Sequence, residues 1–219
     1  SYARFWEGRK MWGAIVNETR NLVRQSSVLC AAEPALVRAV GLWTIAFPYT
    51  CLHRLRGTKG LGQVAADLPA ADVEQVLASD HVPLATARRL TALLNEARER
   101  GLIGEYQQMQ LDHNVQLLID YIGACERIHS TPIPYAYAVH LRRALFLYCC
   151  TLPLALVGRF SWSAVPATLI ITYILFGIEE IGVEIEDPFG TDSNDLPLER
   201  ICKNIESNLR DVLRGVEGA

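Results

Sequence analysis

Between residues 144 and 178 the chain carries a single charged side chain, Arg159, and that scarcity constrains its fold more than any other feature. Ala144 to Val157 has no charge, and neither has Trp162 to Ile178. The second run makes roughly 26 Å of α-helix at 1.5 Å per residue, just short of a hydrocarbon core of about 30 Å. The first run reaches a similar length if its helix starts near Tyr135 and carries His140, Arg142 and Arg143 at its end, where arginines can snorkel or face protein. Two such helices joined by a short turn, Gly158-Arg159-Phe160-Ser161, read as a transmembrane helical hairpin over residues 135–181. Both of its ends then lie on one side, and Arg142 and Arg143 assign that side to the cytoplasm or its equivalent. The competing reading is a helical hairpin buried in a soluble bundle.

The flanking sequence is helical too. In residues 1–25, Phe5, Trp12, Ile15, Val16, Leu22 and Val23 recur at helical spacing between charged positions. A second helix is predicted over 34–56, with Pro34 in its first turn and Gly57 as its stop. Its nearly apolar stretch, Ala39 to Leu52, has the length of a buried helix rather than a span. A glycine-rich loop over 57–69 precedes short helices at 70–79 and 83–100 and a longer one at 105–128. The segment Thr131-Pro132-Ile133-Pro134 breaks the pattern. A last helix, 196–213, has Leu198, Ile201, Ile205, Leu209 and Val212 on one face, with Asp195 placed as its N-cap. No strand pattern occurs, so the predicted fold is all-α: a helical membrane protein with a transmembrane hairpin and a helical bundle beside it.

Composition narrows the function. With 50% hydrophobic and 21% charged residues the chain is not a disordered one. Its 21 Lys and Arg against 24 Asp and Glu leave no basic footprint, so nucleic acid is not an expected partner. The six cysteines include no C-x-x-C pair and resemble neither a disulfide framework nor a zinc site. The first residues, from Ser1 to Trp6, contain no apolar leader segment. Gly57-Thr-Lys-Gly-Leu-Gly62 lacks phosphate-loop spacing and follows a helix rather than a strand. Cys125 and His129 stand i, i+4, but two ligands do not make a zinc site. No nucleophile–base pair or paired carboxylates emerge, so an enzyme is not expected.

The acidic stretch after the hairpin is the one candidate metal site. Asp192-Ser-Asn-Asp195 offers consecutive oxygen-bearing side chains, with Glu184 and the carbonyl of Asp187 nearby in sequence. Calcium takes 6–8 such oxygens. The spacing is not that of an EF-hand, and the residues by themselves favour a solvated acidic turn capping the last helix.

Four blocks carry a family resemblance: Ser1-Tyr-Ala-Arg-Phe-Trp-Glu-Gly-Arg-Lys-Met-Trp12, Cys125-Glu-Arg-Ile-His-Ser-Thr-Pro-Ile-Pro-Tyr-Ala-Tyr137, Glu179-Glu-Ile-Gly-Val-Glu-Ile-Glu-Asp-Pro-Phe-Gly190 and Asn194-Asp-Leu-Pro197. Together they resemble the bestrophin family in its bacterial and plant-organelle branch. The resemblance implies a pentameric channel, a homo-oligomer in the lipid bilayer that passes chloride and other monovalent anions. The expected membrane is a bacterial inner membrane or a thylakoid. It divides the chain into the end of a pore helix with a cytosolic helical region (1–134), the hairpin (135–181), and an acidic turn with a C-terminal cytosolic helix (182–219). It implies that the first membrane helix and the pore neck precede the Ser1-Tyr2-Ala3-Arg4 block, so the chain is read as N-terminally truncated. From that follows the alternative of a non-conducting membrane scaffold. The resemblance assigns the narrow cytosolic aperture to Ile128, where an apolar ring would gate by dewetting. It also aligns Glu184, Asp187, Asp192 and Asp195 with the calcium-binding positions of animal members. Ser193 and Asn194 are less acidic than their counterparts there. The same acidic cluster admits a cation-selective channel as a further alternative.

Overall fold

The computed structural model describes residues 1–132 and 134–217. Ile133, in the predicted break, lies outside the described residues. Eight α-helices follow one another: α1 (Tyr2–Leu29), α2 (Pro34–Leu55), α3 (Ala70–Leu77), α4 (Val82–Glu99), α5 (Glu105–Ser130), α6 (Tyr135–Phe160), α7 (Ala164–Glu184) and α8 (Leu198–Glu217). Among the described residues there is no strand, and the all-α expectation stands.

One bundle is built around α2. α1 lays Gly8, Trp12, Ile15, Thr19, Leu22, Val23 and Ser26 inward, a stripe with helical period. It packs on α5, α2 and α8, while α2 also packs on α4, and α4 on α5. Trp12, Trp43, Phe47, Leu90, Leu111 and Leu118 form the centre. Pro34 opens α2 where its missing N–H costs nothing, and Pro48 is accommodated within the helix. Gly62 ends the following loop at φ 74°, a left-handed conformation suited to glycine. A Cβ there would lie 2.6 Å from the Tyr49 ring, so glycine lets the loop close on α2.

Several predicted boundaries move: α1 runs on to Leu29 and α5 to Ser130, and α3 stops at Leu77. The 57–69 loop contains a 3-10 turn, Gln63–Asp67. α6 continues through Gly158 to Phe160, because nothing in that uncharged stretch breaks it before Ser161, the non-glycine residue with positive φ (45°). α8 starts two residues later than expected. Its buried line is Leu198, Cys202, Ile205, Leu209 and Leu213, whereas Val212 is 37% exposed. The expected stripe was therefore slightly misregistered.

α6 and α7 pack on each other and stand apart from the bundle. Among the described residues two stretches are long and apolar enough to cross a membrane, and burial separates them. The span in α2 is 83% buried inside the chain, and that in Tyr135–Glu184 only 6%. Phe146, Leu147, Leu154, Leu169, Ile170, Ile174 and Ile178 all lie about half exposed or more. Leaving each such side chain in water forgoes about 1.5–3 kcal/mol. Seven of them together match the whole net stability of a domain, about 5–15 kcal/mol. The competing reading, a hairpin enclosed by its own subunit, is therefore excluded.

Candidate functional site

The hairpin has the dimensions and the ends of a membrane element. At 1.5 Å per residue α6 is about 39 Å long and α7 about 32 Å, each enough for a core of about 30 Å. Tyr135 and Tyr137 at one end, and Phe160 and Trp162 at the other, are exposed aromatics at the levels where bilayers hold amphipathic rings. Near the tyrosine end Arg142 donates from Nε and Nη2 to Glu179 Oε1 at 2.9 and 2.8 Å, tying α6 to α7. An exposed charge pair inside hydrocarbon is costly. Both residues sit where the helices leave the apolar level, and Glu179 is 15% exposed. The pair itself lines a largely apolar cavity of about 500 Å³, together with Leu141, Leu145, Leu175 and Ile178, and Ser1 reaches its edge.

α7 runs straight into the acidic turn, which is a folded unit. Asp187 Oδ1 accepts from the Phe189 amide at 3.2 Å, and the Leu196 amide donates to the Pro188 carbonyl at 3.0 Å. Asp195 Oδ2 accepts from the Asp192 amide at 2.7 Å. Asn194 donates its side-chain amide to Glu184. Asp195 is thus spent inside the turn, and the expected N-cap on α8 is not formed. Burial pushes the Asp195 carboxyl up, and the nearby Asp192 and Asp187 charges add to this, against the Asp192 amide and Arg56. Its Oδ1 is buried without a hydrogen-bond partner.

Glu184, Asp187, Asp192 and Asp195 line one cavity of about 450 Å³, so the four carboxylates do come together. Arg4 and His129 line it as well, and His129 Nδ1 is 3.6 Å from Asp187 Oδ1. Among the described residues no three His, Cys, Asp or Glu groups are arranged to hold one metal ion. The carboxylates of Glu184, Asp187 and Asp195 accept from amide N–H groups instead. As arranged, the cluster fits a braced turn better than a calcium cage, which would need Asn194 and the Asp192 amide released.

The turn is held on the bundle by residues that sequence reading passed over. Arg56, at the end of α2, donates from Nε to the Phe189 carbonyl at 3.2 Å and from Nη2 to the Gly190 carbonyl at 2.9 Å, and pairs with Glu199 of α8. Phe189 is 0% exposed and lies against Gly8 of α1, where a Cβ would stand 3.0 Å from its ring. One turn earlier on α1, Arg4 donates at 2.6 Å to the carbonyls of Ile128 and Thr131, capping α5. Ile128 is itself 5% exposed and packs in the core of the chain. Cys125 and His129 do not converge, since Cys125 is fully buried and His129 is half exposed toward Asp187. His81 pairs instead with Glu126, which also accepts from Arg54 at 2.6 Å.

The chain matches a family model described as bacterial/fungal bestrophin protein over residues 1–211. It is 39% identical to a voltage-dependent anion channel-forming protein of Synechocystis over 220 residues, covering 98% of this chain and 71% of that one. A protein of the same description from Escherichia coli K12, YneE, is 33% identical over 212 residues, covering 95% and 68%. A crystal structure of a bacterial bestrophin homologue from Klebsiella pneumoniae superposes with a TM-score of 0.92 at 33% identity, covering 97% of this chain and 79% of that one.

Proposed function

This chain belongs to the bacterial and fungal bestrophin family, and from that premise we propose that it is a subunit of a channel that lets chloride or related monovalent anions pass passively across a membrane. The observation that carries the reading is the unshielded hairpin, whose apolar span within Tyr135–Glu184 is only 6% buried, in a chain so similar to anion channel-forming proteins. A passive channel needs no acid, base or nucleophile, and the chain's ionisable groups serve turns, caps and interhelical ties instead. The test is the purified protein in planar bilayers under a salt gradient. The expected result is a current reversing near the chloride equilibrium potential. Absence of current across independent reconstitutions overturns the reading.

We propose that the subunits assemble as a homopentamer. Support comes from apolar side chains exposed on the bundle itself, outside the hairpin: Tyr2, Trp6, Tyr106 and Met109. Faces of this kind on a single chain favour a partner copy, and mass measurement of the detergent-solubilised protein decides the number. The membrane is proposed to be a bacterial inner membrane or a thylakoid, which fractionation of the native cells resolves.

One observation favours a second selectivity. Four carboxylates line one cavity at the base of the hairpin, and a ring of such clusters would favour cations. A reversal potential near the cation equilibrium selects that alternative. Calcium remains a proposal on the same residues, Glu184, Asp187, Asp192 and Asp195. Its test is a calcium titration of melting temperature and current, with Asp192→Asn as the comparison.

A further inference from the structure

The hairpin and the bundle meet at two joints, and both are gripped by the same helix. At the first, Arg4 holds the last carbonyls of α5 just before the 131–134 linker into α6. At the second, the turn that leaves α7 drives Phe189 into the bundle against Gly8. Arg4 and Gly8 are four residues apart, one turn of the same face of α1. Elsewhere, among the described residues, α6 and α7 pack on each other and the short turn between them, apart from marginal contacts. The position of the membrane element relative to the bundle is therefore decided at these two points.

The second joint depends on Arg56. Its guanidinium is planar and carries its donors in a rigid fork. Here the fork spans two consecutive backbone carbonyls, Phe189 and Gly190, while the remaining edge meets Glu199. These carbonyls belong to the turn, the carboxylate to α8 and the arginine to α2. Arg56 is 17% exposed, so its bonds to the two carbonyls are partly shielded from competing water, while Glu199, 56% exposed, meets it at the surface. A lysine at this position keeps the charge but not the fork.

We propose that Arg56 is a positioning residue of the channel. It fixes the acidic turn, with Phe189 seated on Gly8, and so sets where the cytosolic end of α7 stands relative to the bundle and how often the pore is open. The proposal rests on the channel reading for its second half only. The first half, the fixing of α7, is a statement about this chain's geometry and can fail independently.

The experiment uses the full chain with Cys150→Ser, because Cys150 is the one exposed thiol among the described cysteines. Spin labels are placed at Glu180 on α7 and at Gln110 on α5, both exposed. Arg56→Lys is compared with the parent for melting temperature, label-to-label distance distribution, open probability and reversal potential. The expected result is a distribution at least twice as wide, an open probability changed at least threefold and an unchanged reversal potential. Gly8→Ala, which presses on Phe189 from the other side, is expected to shift the same distribution while leaving the Arg56 fork intact. If Arg56→Lys lowers only the melting temperature, with distances and open probability as in the parent, Arg56 is a brace and the proposal is overturned. If the parent passes no current, the channel reading fails while the distance measurement still judges the joint. Should Arg56→Lys not fold, Glu199→Gln, which loosens the outer edge of the same fork, carries the test, and an unmoved distribution there overturns the proposal.

Discussion

At the residue scale, the ties between helices carry the pH and mutational signatures. Burial would raise the Glu126 carboxyl, but the hydrogen bonds from Arg54 and His81 outweigh it and hold it below its usual range. A carboxyl depressed on folding stabilises above its unfolded pKa, and that contribution is lost as pH falls through the folded value. Glu126→Gln is thus expected to cost about 1 kcal/mol at pH 7, discounted because Arg54 is half exposed. The difference should shrink as pH drops below 4.5, which paired melting curves in detergent check. At Gly62 the sign is set by backbone and space together. Alanine there meets both a positive φ and the Tyr49 ring, and is expected to destabilise by about 2 kcal/mol. Thermal melts of Gly62→Ala against Gly57→Ala isolate the ring, since Gly57 also has positive φ but open space around it. Neither partner of Glu126 was legible in the sequence. His81 is 45 residues from Glu126 in the chain, a distance that only tertiary packing closes.

At the element scale, periodicity located the helices and burial sorted them. α2 and the hairpin pass the same test of length and hydropathy, and the sequence distinguished them only by the shorter apolar stretch of α2. Their surroundings differ completely. Ile174→Arg, near the middle of the uncharged run of α7, is expected to cost about 2.5–3.5 kcal/mol of membrane insertion. It should lower the membrane-inserted fraction in a fractionation assay severalfold, whereas Arg at Val28, exposed on α1, should leave it unchanged. The Arg142–Glu179 pair was readable in principle. The two charges are equidistant from the turn near residue 160, so an antiparallel hairpin must bring them level. The start of α8 was misread because Asp195 hydrogen-bonds within its own turn, a local competition that favours turns over caps for Asp. The aperture assignment to Ile128 came from resemblance alone, and the side chain turned out to be a core one.

At the scale of the whole molecule, a bundle with its own core carries a hairpin that has none. That division explains why the fold class and the membrane character were legible from residues 144–178 while the coupling between the parts was not. Arg4, Gly8 and Arg56 carry ordinary signals in the sequence, and their roles arise only where α1, α2 and the acidic turn meet. Every functional statement made for this chain requires that lipid be the solvent around α6 and α7. Trp162, 87% exposed at the tip of the hairpin, reports on that solvent, while Trp12 and Trp43 are sealed in the bundle and Trp6, half exposed on α1, is replaced by Phe throughout. The protein is reconstituted in vesicles containing bromine-labelled acyl chains, and tryptophan fluorescence is read with and without Trp162→Phe. Strong quenching that largely disappears with Trp162→Phe is the predicted result. Equal fluorescence with and without bromine, in protein that remains dispersed without detergent, would contradict the account.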